Sequence, residues 1–146
     1  MTIKQLIGGK VALLTANGET YTFLHSESEF QNMISDETVL PCVYLDMPMK
    51  FKPVITSSGM YQMTYICNVL VLFKSELGDN DAQQETIFVK AQNVVKQLLI
   101  SLENDDDNVR DLVIGEVLQV QNLFDTNMSG AVLPFSLRII NYDSVC

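Results

Sequence analysis

The chain has 146 residues, of which 47% are hydrophobic and 18% charged, and its formal net charge is −9. A chain of this length can fold as one domain without disulfides, and its composition excludes an acidic disordered tail. The negative charge disfavours proteins that grip nucleic acid by neutralising its phosphates. We therefore expect residues 1–146 to form a single globular domain.

Neither the distribution of apolar residues nor the spacing of the cysteines indicates a specific function. No stretch approaches the ~20 consecutive apolar residues of a membrane span, and the opening MTIKQLIGGK lacks the apolar region of a signal peptide, so we expect a cytoplasmic origin. Cys42, Cys67 and Cys146 are widely spaced, and His25 is the one histidine. This spacing suggests neither a disulfide framework nor a zinc site, and Cys42 and Cys67 are predicted to be buried thiols.

The first predicted element is a β-hairpin over residues 10–25, because Asn17-Gly18 supplies the two positive φ angles that a type I′ turn requires. A short helix is predicted over residues 26–35, since Ser26 begins a Ser-x-x-Glu capping box. The segment PCVYLDM is predicted to be the next strand.

Residues 47–59, MPMKFKPVITSSG, have no sustained period and are predicted to be a long loop or a loose ribbon. Long loops in compact domains are commonly functional, so we expect a flexible arm that contacts a neighbouring subunit. The side chains expected to make that contact are Lys50, Phe51, Lys52, Val54 and Ile55. An irregular hairpin without a partner explains the same segment, and both interpretations stay open.

The segment MYQMTYICNVLVLF is predicted to be a long strand, followed by an acidic loop and an amphipathic helix over about 81–103. The apolar stripe of this helix is Ile87, Ala91, Val94, Val95, Leu98 and Leu102. In the loop, the spacing of Asp79 and Asp81 does not match a calcium-binding EF-hand. We expect Asp79, Asn80 or Asp81 to cap the helix instead, and we expect no metal site.

The last third of the chain, from EVLQVQ to RIINYD, is predicted to form two antiparallel strands joined by a loop around residues 125–130. Pro134 should lie where its missing N–H faces out of the sheet. The predicted fold class is therefore α+β, a mainly antiparallel sheet with the long and the short helix packed on it.

Enzyme chemistry has little support in the sequence. Any Ser-His-Asp or Cys-His site would have to use His25, and the glycines match neither GxGxxG nor GxxxxGK[ST]. No feature brings the acidic residues to a pocket. We expect no catalytic activity and no cofactor.

The order of elements resembles the tail terminator, or tail completion, proteins of long-tailed phages. The resemblance covers residues 26–143, about four-fifths of the chain, and consists of a short helix, LPCVYL, an irregular loop, YICNVLVLF, an acidic turn, DAQQETIFVKAQNVVKQLLISL and a closing strand pair ending PFSLRIINYD. The predicted hairpin at 10–25 departs from the family pattern, which leaves a neck or head-completion protein as an alternative.

The resemblance implies a virion protein, made in the bacterial host cytoplasm, that forms a ring, usually a hexamer, in the tail or neck. Such a ring caps the tail tube, ends its polymerisation and joins tail to head. The implied partners are other copies of the chain, the tail tube protein and a head-completion or connector protein, with DNA only as passing cargo and no membrane. Acidic residues lining the channel, with Glu76, Asp79 and Asp81 as candidates, would repel the DNA phosphates. The alternative function is a cytoplasmic ligand-binding or regulatory domain.

Overall fold

Seven strands form one sheet, and two α-helices pack on it in the part of the chain that the structure describes. The computed structural model describes residues 1–25, 40–46, 50–55, 57–59, 61–76, 78, 80–121 and 127–140. In chain order the elements are α1 (Ile3–Ala12), a 3₁₀ turn (Ala16–Gly18), β1 (Thr22–His25), β2 (Cys42–Leu45), β3 (Lys50–Ile55), β4 (Tyr61–Lys74), α2 (Asp81–Glu103), β5 (Val109–Ile114), β6 (Leu118–Val120) and β7 (Met128–Ile139).

The strand order is β1-β2-β4-β7-β5, with β3 also paired to β4 and β6 also paired to β7. Only the β1–β2 pair is parallel among the described strand pairs. The predicted α+β class with a mainly antiparallel sheet is therefore confirmed. Neither described helix is long and apolar enough to cross a membrane.

The centre of the sheet is the β4–β7 pair, which is in register from Met63–Ile139 to Lys74–Met128. Strand β4 is buried on both faces between Val69 and Phe73, as its unbroken apolar sequence predicts. Both helices cover one face of the sheet, which we call the helix face. A smaller buried cluster lies on the other face and contains Cys42, Tyr44, Leu70, Leu72 and Met128.

Helix α2 matches its predicted bounds. Asn80 is its N-cap: the Asn80 side chain accepts a hydrogen bond from the Gln83 N–H at 2.9 Å, and the Gln83 side chain accepts one from the Asn80 N–H at 2.8 Å. The predicted apolar stripe is buried from Ala91 to Leu102, with Ile87 partly buried at its start. The capping interpretation of the acidic loop is confirmed, with Asn80 as the capping residue.

The predicted N-terminal hairpin is wrong, because residues 3–12 form helix α1. Thr2 and Gln5 make a reciprocal capping box, and the apolar side chains at helical spacing are buried, namely Ile3, Leu6, Ile7 and Val11. Asn17 and Gly18 do have positive φ angles, 60° and 68°. They join a helix to strand β1 rather than one strand to another. The predicted helix at 26–35 lies outside the described residues.

Side chains of α2 hold the connection between α1 and β1. The Gln97 Oε1 atom accepts hydrogen bonds from the N–H groups of Thr15 at 3.1 Å and Ala16 at 2.8 Å. The Asn17 Nδ2 atom donates to the Lys90 carbonyl at 3.0 Å. Polar groups of the connection are thus satisfied by tertiary contacts, which the local sequence pattern does not reveal.

Of the alternatives predicted for residues 47–59, the structure favours the ribbon: residues 50–55 form strand β3, which pairs with residues 61–66 of β4, and residues 57–59 lie in the turn between them. Strand β5 was not predicted. Its register shifts between Arg110 and Val113, and Asp111 has a φ of 55°, so the alternation of side chains is interrupted.

Pro134 lies in β7 opposite the turn between β5 and β6. The last β5 pair is Ile114 with Phe135, and the first β6 pair is Leu118 with Val132. The Pro134 carbonyl accepts a hydrogen bond from the Gly115 N–H at 2.8 Å. Since the N and O atoms of one strand residue point to the same neighbour, the missing N–H also faces this turn, away from β4. The prediction for Pro134 is confirmed in that no ladder partner faces its nitrogen.

Candidate functional site

The five residues predicted to contact a neighbouring subunit all lie on β3, and we call them the β3 surface: Lys50, Phe51, Lys52, Val54 and Ile55. The register places Phe51 opposite Tyr65 and Ile55 opposite Tyr61, on the helix face. Phe51 is nevertheless 60% exposed and Ile55 73% exposed. The helices therefore leave this part of the sheet uncovered.

The remaining side chains of the β3 surface lie on the opposite face of the sheet, where Lys50 pairs with Ile66 and Lys52 with Thr64. Both lysines are exposed, and neither forms an ion pair with any described residue. Among the described strands β3 pairs with β4 alone, so it is an edge strand of the described sheet, with Pro53 at its centre. Lysines and proline on an edge oppose the addition of a further strand. These residue types therefore disfavour main-chain pairing at the free side of β3.

The acidic loop lies at the other end of β4. Tyr65, the β4 residue opposite Phe51, is nine residues before Lys74, where β4 ends. At ~3.3 Å per residue, Lys74 is therefore ~30 Å from Tyr65. Glu76 follows the strand and is exposed, and Asp81 is exposed in the first turn of α2, where a carboxylate favours the helix dipole. Asp79 lies outside the described residues. The structure thus separates the acidic candidates from the β3 surface.

The described part of the acidic loop belongs to no cluster of metal-binding side chains. Within the described ranges, no group of three or more His, Cys, Asp or Glu side chains is close enough together to hold a metal ion. The buried thiols of Cys42 and Cys67 were predicted, and both residues are at most 2% exposed. Burial raises the pKa of each thiol to about 12, so at neutral pH both are protonated and are poor nucleophiles.

A second exposed apolar surface, which the sequence did not reveal, lies where β5 turns into β6. We call these residues the β5–β6 surface: Val113 (62% exposed), Ile114 (48%), Val117 (37%) and Leu118 (60%). By the register with β7, Ile114 lies on the helix face, whereas Val113 and Leu118 lie on the opposite face of the same edge. The turn passes close to β7, since a Cβ atom on Gly115 would lie 2.9 Å from the Pro134 ring. This close approach fixes the turn and with it the exposed side chains on either side.

An open groove joins this surface to helix α2. Its volume is about 560 Å³, and it is lined by Phe88, Gln92, Val95, Lys96, Leu99, Ile100 and Val117. Ile100 is 50% exposed, although it belongs to the helix that supplies most of the core. We call this feature the α2 groove. It is an apolar concave surface beside the β5–β6 surface.

Negative charge surrounds the C-terminal end of α2 and the β5–β6 turn. The exposed carboxylates there are Glu103, Asp106, Asp107, Asp111 and Glu116. Asp111 pairs with Arg138 at 2.7 Å, and Arg110 and Lys96 are the other nearby cations. Five carboxylates against three cations leave this edge acidic, whereas the β3 edge carries two lysines.

Asp105, in the same region, has a structural role. Its Oδ2 atom is 2.8 Å from the Lys10 Nζ atom, which ties α1 to the loop after α2. Burial alone would raise the pKa of Asp105, but hydrogen bonds from Lys10 and Asn108 outweigh that effect and lower it below its usual value. This carboxylate belongs to the framework that holds the acidic edge.

A smaller pocket of about 230 Å³ lies between the start of α2 and β4. The Lys90 Nζ atom is 3.8 Å from the Glu19 carboxylate and 5.9 Å from the centre of the Phe73 ring. The first contact ties α2 to the loop before β1, and the second ties it to β4.

Comparison with models of protein families found no matching family, and comparison with curated proteins found no match. Function is therefore inferred from the surfaces described above and from the resemblance in element order.

Proposed function

We propose that this protein is a structural component of a phage virion that forms a ring, caps the tail tube, ends its polymerisation and joins the tail to the head. The observation that carries this proposal is the presence of two exposed apolar surfaces at opposite edges of one sheet. Several large apolar side chains left exposed close together in the chain are a feature of interaction sites. A ring requires heterologous contacts, in which one patch meets a different patch on the next copy.

The mechanism is steric and cohesive, without bond chemistry. Copies held edge to edge would close into a ring, for which the resemblance implies six members, and one side of that ring would cover the last layer of tube protein. The other side would meet the connector protein of the head. Exposed carboxylates such as Glu76 and Asp81, if they face the channel, would repel phosphates and let DNA pass without sticking.

Tail tube polymerisation tests the proposal. Tube protein from the same phage is polymerised with and without this chain, and tube lengths are measured by negative-stain electron microscopy. We expect shorter tubes with a ring at one end when the chain is present. Unchanged tube lengths together with bare tube ends would count against the proposal.

The channel role of the acidic loop has its own test. Glu76→Lys should change the stability by less than ~0.5 kcal/mol, because Glu76 is exposed, yet it should reduce the number of infectious particles if the residue faces passing DNA. Glu76→Asp keeps the charge and is the matched control. Normal infectivity of both variants would leave this loop only its role beside the helix cap.

A second candidate function is a ligand-binding or regulatory domain without catalytic activity. The α2 groove favours it, because its volume of about 560 Å³ falls within the ~300–1,000 Å³ that is usual for small-molecule sites. Thermal shift measurements with small apolar ligands separate the two functions. A specific ligand that stabilises a strictly monomeric protein would favour this candidate over the ring.

A further inference from the structure

We infer that the α2 groove and the β5–β6 surface of one copy receive the β3 surface of the next copy, with Phe51 and Ile55 inserted beside Ile100 and Val117. This inference deepens the proposed function and rests on it. It names the two halves of the contact between subunits, of which the sequence indicated only one.

The two surfaces cannot meet within one copy. They lie at opposite edges, in the order β3-β4-β7-β5, with Phe51 level with Tyr65 of β4 and the β5–β6 surface level with residues 66–70 of β4. Three strand spacings of ~4.8 Å put the edges ~14 Å apart, with the two central strands between them. A contact between these surfaces must therefore join different copies, and because the surfaces differ, the contact is heterologous.

The dimensions of the two surfaces agree. Phe51 and Ile55 lie on one face of β3 and four residues apart, which is ~13 Å along a strand. The groove extends along α2 from Phe88 to Ile100, twelve residues or ~18 Å of helix. Both apolar side chains of one β3 strand therefore fit within the length of one groove.

The charges are complementary as well. Lys50 and Lys52 have no ion-pair partner among the described residues, and they flank Phe51 in the strand with their side chains on the opposite face of the same edge. The receiving edge is acidic, with exposed carboxylates at Glu103, Asp107 and Glu116 among others. Two edges of the same sign would repel each other, so this asymmetry favours head-to-tail association over the pairing of two like edges.

The chemistry of β3 explains why side chains make the contact. Pro53 lacks an N–H, and the lysines beside it disfavour close approach of another strand. Pairing of two β3 edges would join only two copies, whereas insertion of two side chains into the groove of the next copy sets the angle between successive copies. A defined angle is what closes a ring.

Two complementary variants give the sharpest test. Phe51→Glu destroys the β3 surface and Ile100→Glu destroys the groove. Leu13→Glu is the control, because Leu13 is an apolar residue outside both surfaces that is more exposed, at 72%, than either Phe51 or Ile100. Each of the first two variants alone should be monomeric by sedimentation velocity, with association weakened at least about tenfold, or ~1.4 kcal/mol. Leu13→Glu should assemble like the unchanged protein. Circular dichroism and melting temperatures establish that each variant is folded.

Mixing the two defective variants distinguishes a heterologous from a symmetric contact. Each retains one intact surface, so the mixture should form a heterodimer of one copy of each and nothing larger. Failure to form it, although the unchanged protein assembles, would overturn this contact and leave the ring proposal in place. If the unchanged protein stays monomeric and ignores tail tubes, both proposals fail.

Photo-cross-linking keeps the inference testable if a variant does not fold. Benzoylphenylalanine replaces Phe51, or Leu13 as the control, in the full chain, with tail tubes present where they are needed for assembly. The expected adducts join position 51 to α2 or to Val117 of a second copy, as identified by mass spectrometry. Adducts confined to the tube protein, or to other parts of the chain, would overturn the inference.

Discussion

Three glycines in different surroundings allow one substitution, glycine to alanine, to be tested with three different expected outcomes. A Cβ atom on Gly130, in β7, would lie 1.8 Å from the Val71 carbonyl oxygen. On Gly8, in α1, it would lie 3.1 Å from the Phe23 ring, and on Gly9 it would have no neighbour within 4 Å. The same added methyl group therefore meets a backbone, a side chain or solvent.

The neighbours of each added methyl group determine how much the substitution changes the free energy of unfolding. Val71 lies in β4, which has strands on both sides, so its carbonyl cannot retreat without breaking the central ladder. Overpacking generally costs about 1–3 kcal/mol and occasionally more, and we expect Gly130→Ala to cost ~3 kcal/mol or more. Gly9→Ala should stabilise the protein by about 0.5–1 kcal/mol, because glycine in an exposed helix interior is unfavourable relative to alanine. For Gly8→Ala this gain is offset by displacement of the Phe23 ring, so little net change is expected.

Urea unfolding followed by circular dichroism measures the series as free energies, and the melting temperature gives an independent ranking. A change of 1 kcal/mol corresponds to about 4 °C for a chain of this size, so Gly130→Ala should melt at least ~12 °C lower. We expect Gly9→Ala to be the most stable, the unchanged protein and Gly8→Ala to be equally stable below it, and Gly130→Ala to be the least stable. If Gly130→Ala melts with the unchanged protein, the close β4–β7 approach is wrong. If Gly9→Ala is destabilised, the position of α1 is wrong.

Other parts of the fold give further expectations. Asn80→Ala should cost ~1 kcal/mol in urea unfolding, because it removes the N-cap of α2, and addition of a chelator should leave the melting temperature unchanged. Asp105→Asn should cost about 1.5–3 kcal/mol at neutral pH by weakening the contact with Lys10. Folding lowers the pKa of Asp105, so its contribution to the free energy of unfolding is complete above the ordinary pKa of 3.8 and is lost as the pH falls through the pKa of the folded protein. The difference in stability between Asp105→Asn and the unchanged protein should therefore shrink in acid. A difference that stays constant with pH would contradict the role of Asp105 as a charged partner of Lys10. In a variant without the third cysteine, Cys42 and Cys67 should react with a thiol reagent only after unfolding, and rapid reaction of the folded protein would contradict their burial.

The elements that the sequence predicts well are those with long and uniform patterns. Helix α2 has an apolar stripe over 23 residues, and strand β4 has an unbroken apolar stretch that only a covered strand explains. In both cases the local pattern and the tertiary environment favour the same structure. Their bounds were therefore accurate to within a few residues.

The N-terminal error came from two competing signals. Asn17-Gly18 correctly indicated two positive φ angles, but such a pair serves any tight connection and not only a hairpin. The capping box at Thr2 and Gln5 was the available signal for a helix. The pair Gly8-Gly9 obscured it, because glycine disfavours helices, and the reason for one of those glycines is the Phe23 ring packed against it.

The β5–β6 surface and the α2 groove could not be found from periodicity. Val113, Ile114, Val117 and Leu118 are apolar residues of a kind that normally fills a core, and the shift at Asp111 removes the alternation that would separate inward from outward positions. Their exposure follows only from which strand ends at an edge and how far the helix extends over it. Those are properties of the assembled sheet, not of the segment.

Strand β3 was expected to be a long loop or a loose ribbon, and its role in a subunit contact stays a prediction. Its mixture of lysine, proline and apolar residues hid the period of a strand, whereas the structure contains a strand paired with β4. The same mixture has a physical reason at an edge: Lys50, Lys52 and Pro53 oppose further strand pairing, which is the main hazard of an open edge. Phe51 and Ile55 have no such protective role, and their exposure is unfavourable in water unless something covers them. The composition of β3 therefore disfavours pairing with a further strand and leaves apolar side chains exposed. Our proposed subunit contact uses both properties, since it is made by side chains.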